Sequence, residues 1–145
     1  MHDLPHHYRV AAQSNPSTAS IQLTSPGLPD LVSASPTEFD GPGDQWSPET
    51  FLSAAVGDCF ILTFRAVAAA SNFTWSEIDC SVEGILDKVD RTMRFKEFQL
   101  QVRLRIPATG DAERARRLLE KAERNCIIAN SLACPVHAEV EVVVG

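Results

Sequence analysis

SPETFLSAAVGDCFILTFRAVAAA, residues 47–70, is the stretch around which the rest of the chain has to be arranged. Ser47 is a good helix N-cap, Pro48 suits the first helical position, and Glu49 sits where the helix dipole favours a negative charge. From Phe51 to Ala70 only Asp58 and Arg65 are charged. A helix apolar on nearly every side is one surrounded by protein. Its length alone would fit a membrane span, but Asp58 and Arg65 near its centre would be costly in lipid, and the expectation is that the chain does not enter a membrane. Trp46, just before the cap, is placed to act as a hydrophobic staple. Cys59 stands near the middle of the helix. A thiol there is either a small buried hydrophobe or a reactive group in an apolar setting.

Outward from this helix the chain reads as a single domain over residues 1–145. Its hydrophobic content of 44% and charged content of 22% are those of an ordinary globular protein. A net charge of −6 argues against a nucleic-acid surface, which needs a basic patch. MHDLPHHYRV has no basic end followed by an apolar run, so no signal peptide is visible and a cytoplasmic protein is expected.

Upstream, weak alternation over 6–12 and Ile21/Leu23 on one face flank Asn15-Pro16-Ser17, which predicts a hairpin. A Pro- and Gly-rich loop follows, with a short strand at Leu31-Val32. Downstream, Ile78, Cys80, Val82, Gly84 and Leu86 share the inner face of a strand, and residues 87–92 form the turn after it. Phe98, Leu100, Val102, Leu104 and Ile106 form the inner face of the next strand. Met93 and Phe95 fall on the opposite parity, which one extra residue near Lys96-Glu97, a β-bulge, would correct. Asp111 caps a helix over 112–124 with Ala112, Ala115, Leu118, Leu119 and Ala122 inward, and Arg114 among its solvated cations. One more turn of that stripe brings Cys126 inward. Val136, Ala138, Val140, Val142 and Val144 face inward on a last strand, leaving His137 outside.

The pattern is α+β with antiparallel sheet. An all-round apolar helix in a chain this short needs more cover than one copy supplies. A homodimer with the two central helices at its middle is therefore expected.

Cys59, Cys80, Cys126 and Cys134 contain no C-x-x-C pair, so neither a zinc site nor a thioredoxin-type motif is expected. Cys59 and Cys126, both inward, are structural thiols or a cycling pair. The second option requires a cation or hydrogen-bond donors near the attacking sulfur, because burial alone raises a thiol's pKa.

FDGPGDQWSPETFLSAAVGDCFILTFRAVA (39–68) and KAERNCIIANSLACPV (121–136) resemble the OsmC/Ohr family of thiol-dependent hydroperoxide reductases. The matching motifs are Ser47-Pro48-Glu49 followed by Gly57-Asp58-Cys59-Phe60, and Cys126 followed by Ala129-Asn130-Ser131. The resemblance implies an intertwined homodimer, antiparallel sheets wrapped around two central buried helices, with active sites at the subunit interface. It implies that Cys59 attacks a hydroperoxide and Cys126 resolves the sulfenic acid. Glu49 would be the active-site glutamate that pairs with an arginine. The reductant would be a small dihydrolipoamide-like dithiol, with no bound cofactor and no metal.

Where the family carries that arginine, this chain has Ser14-Asn15-Pro16 in the first hairpin and Glu38 before Phe39, which leaves Arg9 and Arg65 as candidates. Arg65 lies about 120° round the helix from Cys59, and Glu49 stands about 15 Å from Cys59 along a straight helix. The expected substrate is an apolar hydroperoxide in a pocket lined by Trp46, Phe51, Phe60 and Phe64. The alternative is a non-catalytic or redox-sensing dimer that binds an apolar ligand at its interface.

Overall fold

The structure is a computed structural model covering residues 1–145. It divides into two compact units, Met1–Phe51 and Leu52–Gly145. In the first, β1 (Ala11–Gln13), β2 (Ile21–Thr24) and β3 (Leu31–Ser33) form an antiparallel sheet in sequence order. Asn15 makes the predicted turn, its side chain accepting from the Ser17 N–H at 3.0 Å. Ser33 bridges to Trp46, and the Ala34 N–H donates to the Trp46 carbonyl, bringing the chain to the helix entrance.

Helix α1 (Pro48–Ala70) is unbroken, starting in the first unit and continuing through the second. Its start is built by local chemistry. The Thr50 N–H donates to Ser47 Oγ at 3.2 Å, and the Ser47 N–H donates back to Thr50 Oγ1 at 2.8 Å. Two otherwise orphaned amides are satisfied by that exchange. Trp46 stacks on Phe51 at 5.6 Å between ring centroids, the staple expected from sequence. The far end closes through Asn72 at φ 50°, with the Phe73 N–H donating to the Ala68 carbonyl and the Asn72 N–H to Ala69. This is a Schellman arrangement, and it explains why the helix stops there.

In the second unit β4 (Glu77–Val89) and β5 (Thr92–Ile106) form a long antiparallel hairpin. Its turn is tighter than the sequence suggested. Asp90 and Arg91, both at positive φ, are the two central residues, as the twist of a two-residue hairpin requires. The expected bulge is present: Ile85 pairs with Glu97 and Leu86 with Phe95, so Lys96 has no opposite residue. The shift turns Phe95 onto Phe98, 4.7 Å between centroids, as expected, but leaves Leu86 and Met93 exposed, both of which were expected to face inward.

Helix α2 (Ala112–Asn125), capped by Asp111 accepting from the Arg114 N–H, leads into the short α3 (Ile127–Asn130). It carries the chain back so that β6 (Val136–Val144) joins β5 in parallel. The sheet is therefore mixed, order β4-β5-β6, where antiparallel pairing alone was expected. A strand that returns through a helical crossover runs in the direction of the one it left.

One face of this sheet is the core. It combines Val56, Phe60, Phe64 and Ala68 of α1, the alternate residues Phe98 to Ile106 of β5, and Ala115, Leu118, Leu119 and Ala122 of α2. The opposite face is polar, with His137 exposed as predicted. Arg114 departs from the solvated position expected of it: half-buried, it lies over the Phe73 ring at 5.4 Å and donates to the Ser71 carbonyl.

Candidate active site

Cys59 projects from the middle of α1, beside the buried stripe but not within it. It is half-buried, whereas Phe60, the next residue, is fully enclosed. Cys126 is buried for a different reason from the one the helical stripe suggested. Helix α2 ends at Asn125, and Cys126 has extended backbone (φ −68°, ψ 110°), forming the joint between α2 and α3. The joint turns its side chain inward, 2% exposed.

The fold brings these two thiols together, 67 residues apart in sequence, with α3 following directly behind Cys126. Burial opposes charge on Cys59. Against it act the Ile128 N–H, the Cys126 thiol, the Thr63 hydroxyl and the Ile127 N–H, and together they hold the Cys59 pKa below its ordinary value. The Cys126 pKa moves the other way. Burial raises it, and the neighbouring Cys59 sulfur raises it further, although the Ala129 and Ile128 amides pull it down. In a facing pair of this kind, one sulfur is favoured as the anion and the other as the proton-bearing thiol.

Thr63, one turn beyond Cys59, was not singled out by sequence reasoning. Its Oγ1 donates to the Cys59 carbonyl at 2.7 Å and lies 3.9 Å from Cys59 Sγ. The i, i+4 spacing from a central cysteine was the available signal. The α3 amides left no such signal, because backbone groups are invisible in a pattern of side chains. Cys80, expected to be structural, is half-buried on β4 and packs toward Gly57 of α1; a Cβ on that glycine would lie 3.7 Å from its Sγ. Burial, with a smaller contribution from Cys126, pushes the Cys80 thiol up to about 11.

Glu49 lies in the first turn of α1, half-buried. Because α1 has no break, the rise of about 15 Å separates it from Cys59 along the same helix. Arg65 is exposed and makes no ion pair with Asp58: two turns is too long a step for that contact. Arg9 lies in the first unit and is also exposed. Phe60 and Phe64 do not line a pocket, because both are sealed in the core; Trp46 stacks on Phe51 and stays 55% exposed. No group of three or more His, Cys, Asp or Glu side chains is arranged to hold a metal.

The α2–α3 joint thus places the Cys126 thiol among the groups that act on Cys59, in an α+β fold. Residues 41–141 match the OsmC-like protein family. The chain is 28% identical over 109 residues to the uncharacterised protein YmaD of Bacillus subtilis (strain 168), 73% of each sequence. To the peroxiredoxin OsmC of Escherichia coli (strain K12) it is 26% identical over 100 residues, covering 69% of this chain and 68% of that one. Its fold superposes, with a TM-score of 0.78 at 16% identity, on an organic hydroperoxide resistance protein from Elizabethkingia anophelis, over 99% of this chain and all of that one. The chain belongs to the OsmC-like family.

Proposed function

We propose that the protein is a thiol peroxidase that reduces organic hydroperoxides. The observation that carries this reading is the Cys59–Cys126 pair, with the first sulfur favoured as thiolate and the second as thiol. The names borne by the E. coli relative and the Elizabethkingia fold neighbour support it.

The Cys59 thiolate attacks the distal oxygen of ROOH, the O–O bond breaks, and Cys59 becomes a sulfenic acid while the alkoxide leaves and takes a proton as ROH. The Cys126 sulfur then attacks the sulfenic sulfur. A disulfide forms and the oxygen departs as water. A small dithiol of the dihydrolipoamide type reduces the disulfide by two thiol–disulfide exchanges and is itself oxidised to a cyclic disulfide. No metal or flavin is required in this scheme. Free thiols that cycle in this way suit the reducing cytoplasm.

A second copy of the chain belongs to this reading. Helix α1 buries only the stripe Val56, Gly57, Phe60, Phe64 and Ala68, and Leu62 on another face is 57% exposed. An apolar helix left with open faces is covered by a homodimer contact. Glu49, ten residues from Cys59 on an unbroken helix, would then serve the Cys59 of the other copy.

One equivalent of cumene hydroperoxide should remove two free thiols and leave a Cys59–Cys126 disulfide visible by peptide mapping. Cys126→Ser should stop at the sulfenic acid, trapped by dimedone. Continued peroxide turnover by Cys59→Ser would end the proposal.

A further inference from the structure

We propose that Thr63 is a positioning residue for the Cys59 sulfur: its single hydroxyl proton bonds the Cys59 carbonyl while the thiol is neutral and turns to Sγ when the sulfur is charged. The assignment rests on the peroxidase reading only in taking Cys59 as the attacking thiol.

The geometry offers one donor and two acceptors on the same residue. Thr63 Oγ1 stands 2.7 Å from the Cys59 carbonyl oxygen and 3.9 Å from its Sγ. A hydroxyl carries one hydrogen that rotates freely about the C–O bond, so it serves one strong acceptor at a time. Beside a neutral thiol, a weak acceptor, the carbonyl takes it. Beside a thiolate, a charge-assisted bond is about twice as strong as a neutral one; small side-chain rotations of Thr63 and Cys59 close the 3.9 Å gap as the hydrogen reorients, with the helix backbone unmoved. The Cys59 carbonyl keeps its helical partner, the Thr63 N–H one turn on, so giving up the hydroxyl leaves no buried acceptor orphaned.

Threonine inside a helix commonly bonds the carbonyl four residues back, and that habit alone would serve only structure. What sets this residue apart is the second acceptor, a sulfur within reach of the same oxygen. The remaining groups that act on Sγ come from the α2–α3 joint: the Cys126 thiol and the amides of Ile127 and Ile128. Thr63 is the only polar side chain among them contributed by α1 itself. The role is that of a neutral donor, Arg65 being exposed on the same helix and not among the groups that act on Sγ.

The test compares wild type, Thr63→Val and Thr63→Ser. Alkylation of Cys59 by iodoacetamide is followed against pH by mass spectrometry of the Cys59 peptide, with folding checked by circular dichroism. Thr63→Val keeps the shape and removes the donor. It should slow Cys59 alkylation at neutral pH about fivefold and move the midpoint upward by a corresponding fraction of a pH unit. Thr63→Ser should restore both. If Thr63→Val is poorly folded, Thr63→Ala supplies the donor-free variant. A folded donor-free variant with the wild-type midpoint would overturn the proposal. So would a shift that Thr63→Ser does not reverse, since the methyl group would then be the cause. Wild-type protein that consumes no peroxide, with the Thr63 shift intact, would sink the peroxidase reading and leave this assignment standing.

Discussion

At the scale of single residues, the three neighbouring sulfurs differ by environment alone. Cys80 faces the sheet–helix interface and keeps its proton up to about 11, against an ordinary 9.0. Between those values the unfolded chain has released that proton and the folded chain has not. The contribution to stability is therefore whole below about pH 9 and is lost as the pH rises through about 11. A wild-type melting temperature that falls between pH 9 and 11, and falls less in Cys80→Ala, is the expected outcome of thermal scans. Equal slopes in the two proteins would remove the assignment. Cys59, whose pKa moves down, should be the first thiol alkylated at neutral pH. Its dependence on Thr63 and on the α3 amides makes that order a property of geometry, because the composition of the segment is overwhelmingly apolar.

At the scale of elements, the packing of α1 on the sheet is governed by two close approaches, both at glycine. A Cβ at Gly57 would lie 2.7 Å from Val82 Cγ2. One at Gly84 would lie 2.7 Å from Phe98 Cε1, 2.8 Å from Ser53 Oγ and 2.9 Å from Phe95 Cε1. Phe98 is the direct cross-strand partner of Gly84, and the bulge at Lys96 adds the Phe95 ring beside it. Gly84→Ala should therefore displace rings that have little room to move, at a cost of about 1–3 kcal/mol in urea unfolding. No measurable loss would mean that α1 and the hairpin pack less tightly than these distances state. The six ion pairs, all on exposed side chains, are expected to add little by comparison.

At the scale of the whole molecule, the question is what covers the open faces of α1. If a second copy does so, sedimentation equilibrium should give about twice the mass of the chain. Leu62→Glu, harmless at an exposed site, should shift the population toward the monomer. A wild-type protein that stays monomeric at micromolar concentration would remove both the dimer and the role suggested for Glu49 across it.

Much of the architecture was legible in the residues. Ser47-Pro48-Glu49, the Trp46–Phe51 pair and Asn72 mark the ends of α1 by local hydrogen bonding and local contact, and such signals survive in a linear string. The same holds for the alternation of β5, the bulge at Lys96 and the stripe of α2. Local rules failed where a residue's surroundings come from far along the chain. Arg114 was read as solvated because its own helix says so, yet Phe73 and the Ser71 carbonyl claim it. Phe60 and Phe64, expected to line a substrate pocket, are instead sealed in by packing against β5 and α2. The chain's own pattern thus determined that there is a long apolar helix, where it begins and stops, and that Cys59 sits within it. Only the tertiary structure decided that β6 runs parallel to β5, that the α2–α3 joint delivers Cys126 and two amides to Cys59, and that Thr63 stands between a carbonyl and a sulfur. Hydrophobic periodicity reports which way a side chain faces; what it meets there depends on contacts between segments that the order of residues does not record.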